Sequence, residues 1–224
     1  MCLIVVAWRV HPEFSLVVAA NRDEFHARPA APAAFWDDAP GILAGRDLEA
    51  RGTWMGVSRT GRFAAVTNFR GATEPRATEP RAAESRGALV SRFLMNGLQP
   101  KAYIEGVSGN LYGGFNLLAA DGTELWWTSN RGGEPRPLAP GIYGLGNTLL
   151  DAPEVEAPKK GLAAAIEPAP AVEPLFAVLE KARIVNPEYG TRCSTILLSG
   201  KRKRYAERSF APDGAAGDTL HYDF

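Results

Sequence analysis

The sequence predicts an α+β fold built on antiparallel sheets. Three observations lead there: short apolar, β-branched runs toward both ends, helical periodicity confined to segments between them, and no strand–helix–strand alternation. Residues 2–10 and 14–20 are two such runs separated by His11-Pro12-Glu13, which reads as an antiparallel hairpin. Neither run alternates cleanly, so both faces of this part of the sheet are expected to be covered. A three-residue turn sets Cys2 opposite Arg22, and a four-residue turn sets it opposite Asp23. Either register brings the thiol beside Asn21-Arg22-Asp23-Glu24.

The Ala- and Pro-rich stretch 27–40 reads as loop, and strands follow at about 41–46, 53–58 and 62–68. Residues 72–76 and 77–81 are a perfect duplication, Ala-Thr-Glu-Pro-Arg twice, expected in an exposed, insertion-tolerant loop. Ser85 is placed to cap a helix running to about Asn96, with Leu89, Val90, Phe93 and Leu94 on one face. A short helix at 100–106, strands at 112–119, 123–128 and 141–146, and helices at 157–166 and 172–184 come next. A hairpin, 194–198 with 205–210, closes the chain. No internal boundary stands out, so residues 1–224 are expected to form a single domain.

Composition narrows the function classes. Hydrophobic residues make up 46% and charged residues 22% of the 224, and Lys+Arg and Asp+Glu both number 25. That balance asks for no nucleic-acid or acidic-membrane partner, and Lys201-Arg202-Lys203-Arg204 reads as a solvated turn. Two cysteines are too few for a disulfide framework, and no apolar run has the length of a membrane span. The first apolar run lacks the basic lead of a secretory signal, so a cytoplasmic protein is expected. His11, His26 and His221 have no metal-ligand spacing, and no metal site is expected. Nothing in the sequence fixes an oligomeric state.

Chemistry concentrates at the start. Loss of Met1 leaves a thiol and a free α-amine on Cys2, and an amine with a pKa near ~8 is a general base at neutral pH. The alternative is that Cys2 simply packs, as most cysteines do. Four consecutive polar residues, Asn21 to Glu24, end the strand predicted opposite it. Arg22 is suited to favour thiolate and Asp23 to hold the amine, unless the group is only a local ion pair at a solvated strand end.

Met1-Cys2 with Asn21-Arg22-Asp23-Glu24-Phe25 and Arg28-Pro29 resembles the NRDE family, also called the Transport and Golgi organization protein two family. Further blocks fit its pattern in order: Gly52-Thr53-Trp54-Met55-Gly56, Thr67-Asn68-Phe69-Arg70, Gly114-Phe115-Asn116-Leu117, Tyr143-Gly144-Leu145-Gly146-Asn147 and Tyr189-Gly190-Thr191-Arg192. That family is similar to N-terminal nucleophile hydrolases, whose fold is a four-layer α/β/β/α sandwich. The resemblance implies Cys2 as nucleophile, Arg22 supporting the thiolate, and Asp23 at the amine. Asn68 is implied as oxyanion donor, Asn147 as the residue positioning the amine, and Arg192 as the far arginine of the site. Arg22 and Asp23 are adjacent here, whereas the acylase branch spaces that pair three apart.

Asn21, Glu24, Trp54, Phe69, Arg70 and Asn116 make the expected substrate-binding set, although Asn116, inside a strand, also reads as structural. The implied activity is hydrolysis of a non-peptide C–N amide in a small acylated molecule, through an acyl-cysteine and with no required cofactor. The alternative is a non-enzymatic protein that binds or moves haem, acyl-coenzyme A or lipid in the same pocket, with haem as a possible ligand.

Overall fold

The computed structural model describes residues 2–70, 82–167 and 169–224. The duplication at 72–81, Met1 and Pro168 lie outside the described residues. Two compact units emerge: one comprises the chain through Arg28, Ala139–Gly146 and Leu150–Phe224, and the other Pro29–Leu138 with Asn147–Leu149.

The first unit is a six-stranded antiparallel sheet. Numbered in chain order, its strands are β1 (Leu3–Trp8), β2 (Phe14–Phe25), β10 (Gly141–Leu145), β11 (Tyr189–Gly200), β12 (Lys203–Phe210) and β13 (Ala216–Asp223). They lie in the order β10-β1-β2-β11-β12-β13. Leu3 pairs with Asn21 and Trp8 with Leu16, which is the register of the three-residue turn. Helices α3 (Glu156–Ala165) and α4 (Val172–Glu180) cover one face, packing Leu162, Leu175, Phe176 and Leu179 on Leu3, Val5, Val17, Ala19, Ile196 and Leu198. Ile4, Val6, Trp8, Val18 and Leu197 point the other way by strand alternation and are buried too. Burial on both faces is why β1 and β2 show no polar–apolar alternation.

Gly144 in β10 permits the close approach of the 3-10 turn Pro153–Val155, because a Cβ there would lie 2.5 Å from Val155 Cγ2. Gly144→Val is expected to cost about 1–3 kcal/mol through overpacking, read as a lower calorimetric midpoint.

The second unit is a seven-stranded antiparallel meander. Its strands are β3 (Ala30–Trp36), β4 (Ala39–Asp47), β5 (Met55–Ser58), β6 (Phe63–Asn68), β7 (Phe115–Ala120), β8 (Leu125–Ser129) and β9 (Arg136–Pro137), each paired with the next. Helices α1 (Gly87–Met95) and α2 (Pro100–Glu105) cover one face, with Leu89, Val90, Phe93 and Ile104 against Ile42, Val66, Leu117 and Trp126. The α+β class and antiparallel sheets are those expected.

Several strands differ from expectation, among them the unexpected two-residue β9 and β11, which begins at Tyr189. The stretch 27–40 is not all loop: β3 forms there, and its pairing with β4 shifts register between Ala31 and Ala34, around Pro32. An edge strand with an irregularity is where a sheet tolerates proline. β13 forms an unforeseen edge strand from a mostly exposed segment. β2 runs on through the polar segment to Phe25, because β11 keeps pairing with it. No helix among the described residues is long and apolar enough to cross a membrane.

Candidate active site

In the first unit, Cys2 precedes β1 and continues its register toward Arg22. Its Sγ lies 3.4 Å from both the amide nitrogen and the carbonyl oxygen of Asp23, accepting from one and donating to the other. The thiol is half-buried and unbridged. Burial, and next the Asp23 carboxylate, push its pKa above the ordinary thiol value. The Asp23 amide and the Arg22 guanidinium pull the other way without prevailing. These surroundings favour the protonated form of the thiol. Alkylation of Cys2 by iodoacetamide is expected to speed up as pH rises through and beyond the ordinary thiol range. Arg22→Gln, which removes a pull toward thiolate, is expected to slow it several-fold at fixed pH.

A register shift separates the next residues. Thr191 pairs with Asp23 and Cys193 with Arg22, so Arg192 is the extra residue of a β-bulge in β11. Strand alternation puts Asn21 and Asp23 on the face that carries α4, and Arg22 on the other. Asn21 is 2% exposed and engaged at both ends of its amide. Its Nδ2 donates to the Leu179 carbonyl at 3.1 Å, and its Oδ1 accepts from Ser194 Oγ at 2.6 Å. Asp23 is buried, with Oδ1 accepting from Thr191 Oγ1 at 2.6 Å. Thr191 Oγ1 also accepts from the Ile184 amide at 2.9 Å, tying the strand to the loop before it.

Arg22 is buried as well, and its charge is felt by Cys2, Cys193 and Arg192. Cys193 stands across β11 from it, with a thiol pushed well up by burial and by the buried Glu207. Of the two thiols, Cys193 is the more deeply buried and Cys2 the more exposed. Arg192 Nη1 donates to the carbonyls of Phe25, Arg28 and His26 at 3.0, 3.1 and 3.3 Å. Glu24 is half-buried, its Oε1 accepting from the Phe25 amide at 2.8 Å.

The second unit gathers the remaining residues. Asn147 Nδ2 donates to the Asn68 carbonyl at 2.7 Å, and the Arg70 amide donates to the Asn147 carbonyl at 2.6 Å. The Phe69 amide donates to the Gly114 carbonyl at 2.8 Å. The turn Asn68-Phe69-Arg70 is thus held by its backbone. The partly exposed Asn68 carboxamide makes no hydrogen bond among the described residues, so both its N–H groups are available. Asn116 is fully buried, donating to Thr67 Oγ1 at 3.2 Å and to the Thr148 carbonyl at 2.8 Å, which fits its structural reading. Trp54 lies against Gly45, where a Cβ would come within 2.2 Å of its ring.

The first unit thus assembles Cys2, Arg22, Asp23 and Arg192, and the second assembles Asn68, Phe69, Arg70, Asn116 and Asn147. Sequence reasoning gave no role to Thr191, Ser194, Cys193 or Glu207. The polar run Thr191-Arg192-Cys193-Ser194-Thr195 within an otherwise apolar strand was the available signal. Among the described residues, no group of three or more His, Cys, Asp or Glu is placed to hold a metal ion.

Comparison with known proteins fits this frame. The profile of the family Transport and Golgi organisation 2 matches residues 1–188. The bovine (Bos taurus) Transport and Golgi organization protein 2 homolog is 34% identical over 277 aligned residues, covering 100% of this chain and 99% of its own. The human (Homo sapiens) homolog is 34% identical over 278, with the same coverage. Among solved structures, the C2A mutant of the conjugated bile acid hydrolase from Clostridium perfringens superposes with a TM-score of 0.60 at 9% identity, over 100% of this chain and 97% of its own. Penicillin V acylase from Agrobacterium tumefaciens gives 0.53 at 14%, over 99% and 86%. The Caenorhabditis elegans ortholog of N-acylethanolamine-hydrolyzing acid amidase gives 0.53 at 10%, over 88% and 92%. These likenesses establish the N-terminal nucleophile hydrolase type of fold. The chain belongs to the Transport and Golgi organisation 2 family.

Proposed function

We propose that the chain is an N-terminal cysteine amidohydrolase, cleaving a non-peptide C–N amide of a small acylated substrate. The observation that carries this reading is the Cys2 thiol, half-buried at the head of β1 and cradled at 3.4 Å by the Asp23 peptide. Because its surroundings favour the protonated thiol, a base beside it aids attack, and the α-amine freed by loss of Met1 is one on the same residue. The amine takes the thiol proton as Sγ attacks the substrate carbonyl carbon. It then passes that proton to the departing amine nitrogen as the C–N bond breaks. Water attacks the acyl-thioester, releasing the acid and restoring the thiol.

Arg22 favours the thiolate form and Asp23 holds the ammonium form of the amine. Asn68 is assigned the oxyanion contact, for which an unengaged neutral donor is suited. Asn147 sets the Asn68 turn. The steps draw on side chains and the chain terminus, without metal or organic cofactor. The names of the structural neighbours, two of which are an acylase and an amidase, support amide chemistry as the class. The proposed place of action is the cytoplasm, where reducing conditions keep Cys2 free.

The test is amine release from a panel of N-acyl amides by Met1-free protein. Turnover by the wild type is expected, with kcat lower by about 10²–10³-fold in Asn68→Ala. Equal turnover by protein that retains Met1 would exclude the α-amine as base.

A further inference from the structure

We infer that the groove between α1 and α2 of the second unit binds a neutral, largely apolar small molecule that carries an acceptor oxygen, such as an ester, ketone or ether. This goes beyond the amide reading and does not depend on it.

The groove encloses about 550 Å³, a size typical of small-molecule sites. Its apolar walls are Leu89, Met95, Leu98, Ala102, Val107 and Leu111. Met95, Leu98 and Leu111 are 57%, 51% and 37% exposed, so three large apolar side chains are left in the open around one concavity. Gathered apolar exposure of this kind marks an interaction site, whereas apolar residues scattered singly do not. Tyr103 lines the same groove, and burial pushes its hydroxyl far above the ordinary tyrosine pKa, as apolar surroundings do.

Side chains hold the walls in place. Arg62, just before β6, donates from Nη2 to the Phe93 carbonyl at 3.0 Å, to Asn96 Oδ1 at 3.2 Å and to the Leu98 carbonyl at 2.7 Å. That fixes the linker from α1 to α2 and keeps Leu98 at the rim. The Tyr103 hydroxyl donates to the Leu89 carbonyl at 2.6 Å, tying α2 to α1. Arg92 Nη1 donates to the Tyr112 hydroxyl at 2.8 Å, tying α1 to the segment before β7. A preformed groove costs little ordering to fill.

Charge and hydrogen-bonding capacity narrow the occupant. The charged residues beside the groove are answered within the fold: Arg92 pairs with Glu84, Lys101 with Glu105, and Arg62 has Asp121 near enough to act on its charge. An anion approaching Arg92 meets the Glu84 carboxylate as well, which favours a neutral molecule. Among the described residues, Arg92 Nε and Nη2 and Asn96 Nδ2 make no hydrogen bond. These unused groups are all donors, so the complementary ligand presents an acceptor.

The experiment is a fluorescence titration of the full chain with Nile red, a neutral apolar dye with a carbonyl acceptor. A saturable, blue-shifted signal is expected, with one site per chain and a dissociation constant on the order of 1–10 μM. Ala102→Trp fills the groove from an exposed helical position and should weaken binding by about tenfold or more without lowering the melting midpoint. Arg92→Gln should weaken it several-fold. Methyl naphthoate should displace the dye at lower concentration than naphthoate.

No saturable signal, or equal binding by the wild type and Ala102→Trp, overturns the site. Stronger displacement by naphthoate than by its ester overturns the neutral assignment. A wild-type dimer that Ala102→Trp dissociates in sedimentation equilibrium would give the groove to a second copy of the chain and overturn the small-molecule reading. Cys2→Ala should bind the dye as the wild type does, because every groove residue belongs to the second unit. Loss of the signal in Cys2→Ala would place the dye elsewhere and overturn the assignment. Failure of amide turnover and failure of dye binding are therefore read separately.

Discussion

Cys2→Ala is expected to lower amide hydrolysis on the order of 10⁴-fold or more while moving the melting midpoint by no more than about 2 °C. Loss of a nucleophile removes the acyl-enzyme route altogether, leaving only what binding supplies. The small stability effect follows from position. Cys2 is half-buried ahead of β1, and its side-chain polar contacts are two 3.4 Å sulfur contacts with the backbone N–H and C=O of Asp23. Steady-state kinetics with circular-dichroism melts separates the two effects. An unfolded Cys2→Ala protein would place the residue in the core and not at the site. The same logic makes Met1 decisive. With Met1 in place the protonated thiol is favoured by burial and by Asp23, and no second base adjoins it on its own residue.

Asn21→Ala carries the largest expected effect on stability, about 2–3 kcal/mol, or a midpoint lower by roughly 5–10 °C. The amide bridges α4 to the sheet through the Leu179 carbonyl and accepts from Ser194. Alanine leaves a buried hydroxyl and a buried carbonyl without that partner. Ser194→Ala alone should cost about 1 kcal/mol, and the double variant less than the sum of the two. Strict additivity in calorimetric melts would show that the two side chains do not act as one unit. Asn21 therefore has a structural task that its place in the polar tetrad did not announce.

Much of this arrangement was legible in the sequence, and particular residues show why. The residues His11-Pro12-Glu13 marked the hairpin turn and left two registers open, of which the structure has the one that sets Leu3 on Asn21. Strands β4 to β8 were visible because apolar runs are punctuated by turn residues. β3 was not, because Ala and Pro carry no strand signal and its edge position tolerates them. β13 is mostly exposed, so it lacks the apolar face that periodicity detects.

The site was legible in its members more than in their directions. Neighbours in a strand face opposite ways, so Asn21 and Asp23 turn toward α4 while Arg22 turns away. The bulge at Arg192 changes which residues of β11 share a face, and no local signal marks an extra residue in one strand of a pair. The carbonyl clamp on Arg192 depends on that bulge and on the turn after β2, far apart in sequence. The glycine and asparagine blocks of the second unit were recognisable as motifs. Their mutual bonding, Asn147 to the Asn68 carbonyl, required the folded chain.

The central claim is that Cys2, freed of Met1, is the acylated nucleophile. Intact-mass analysis of the purified protein, before and after brief exposure to an N-acyl amide it turns over, tests this most directly. The expected result is a chain lighter by one methionine that gains the mass of the acyl group on its N-terminal cysteine peptide, with no gain in Cys2→Ala. Retention of Met1 on turning-over protein, or an acyl adduct that persists in Cys2→Ala, would contradict it.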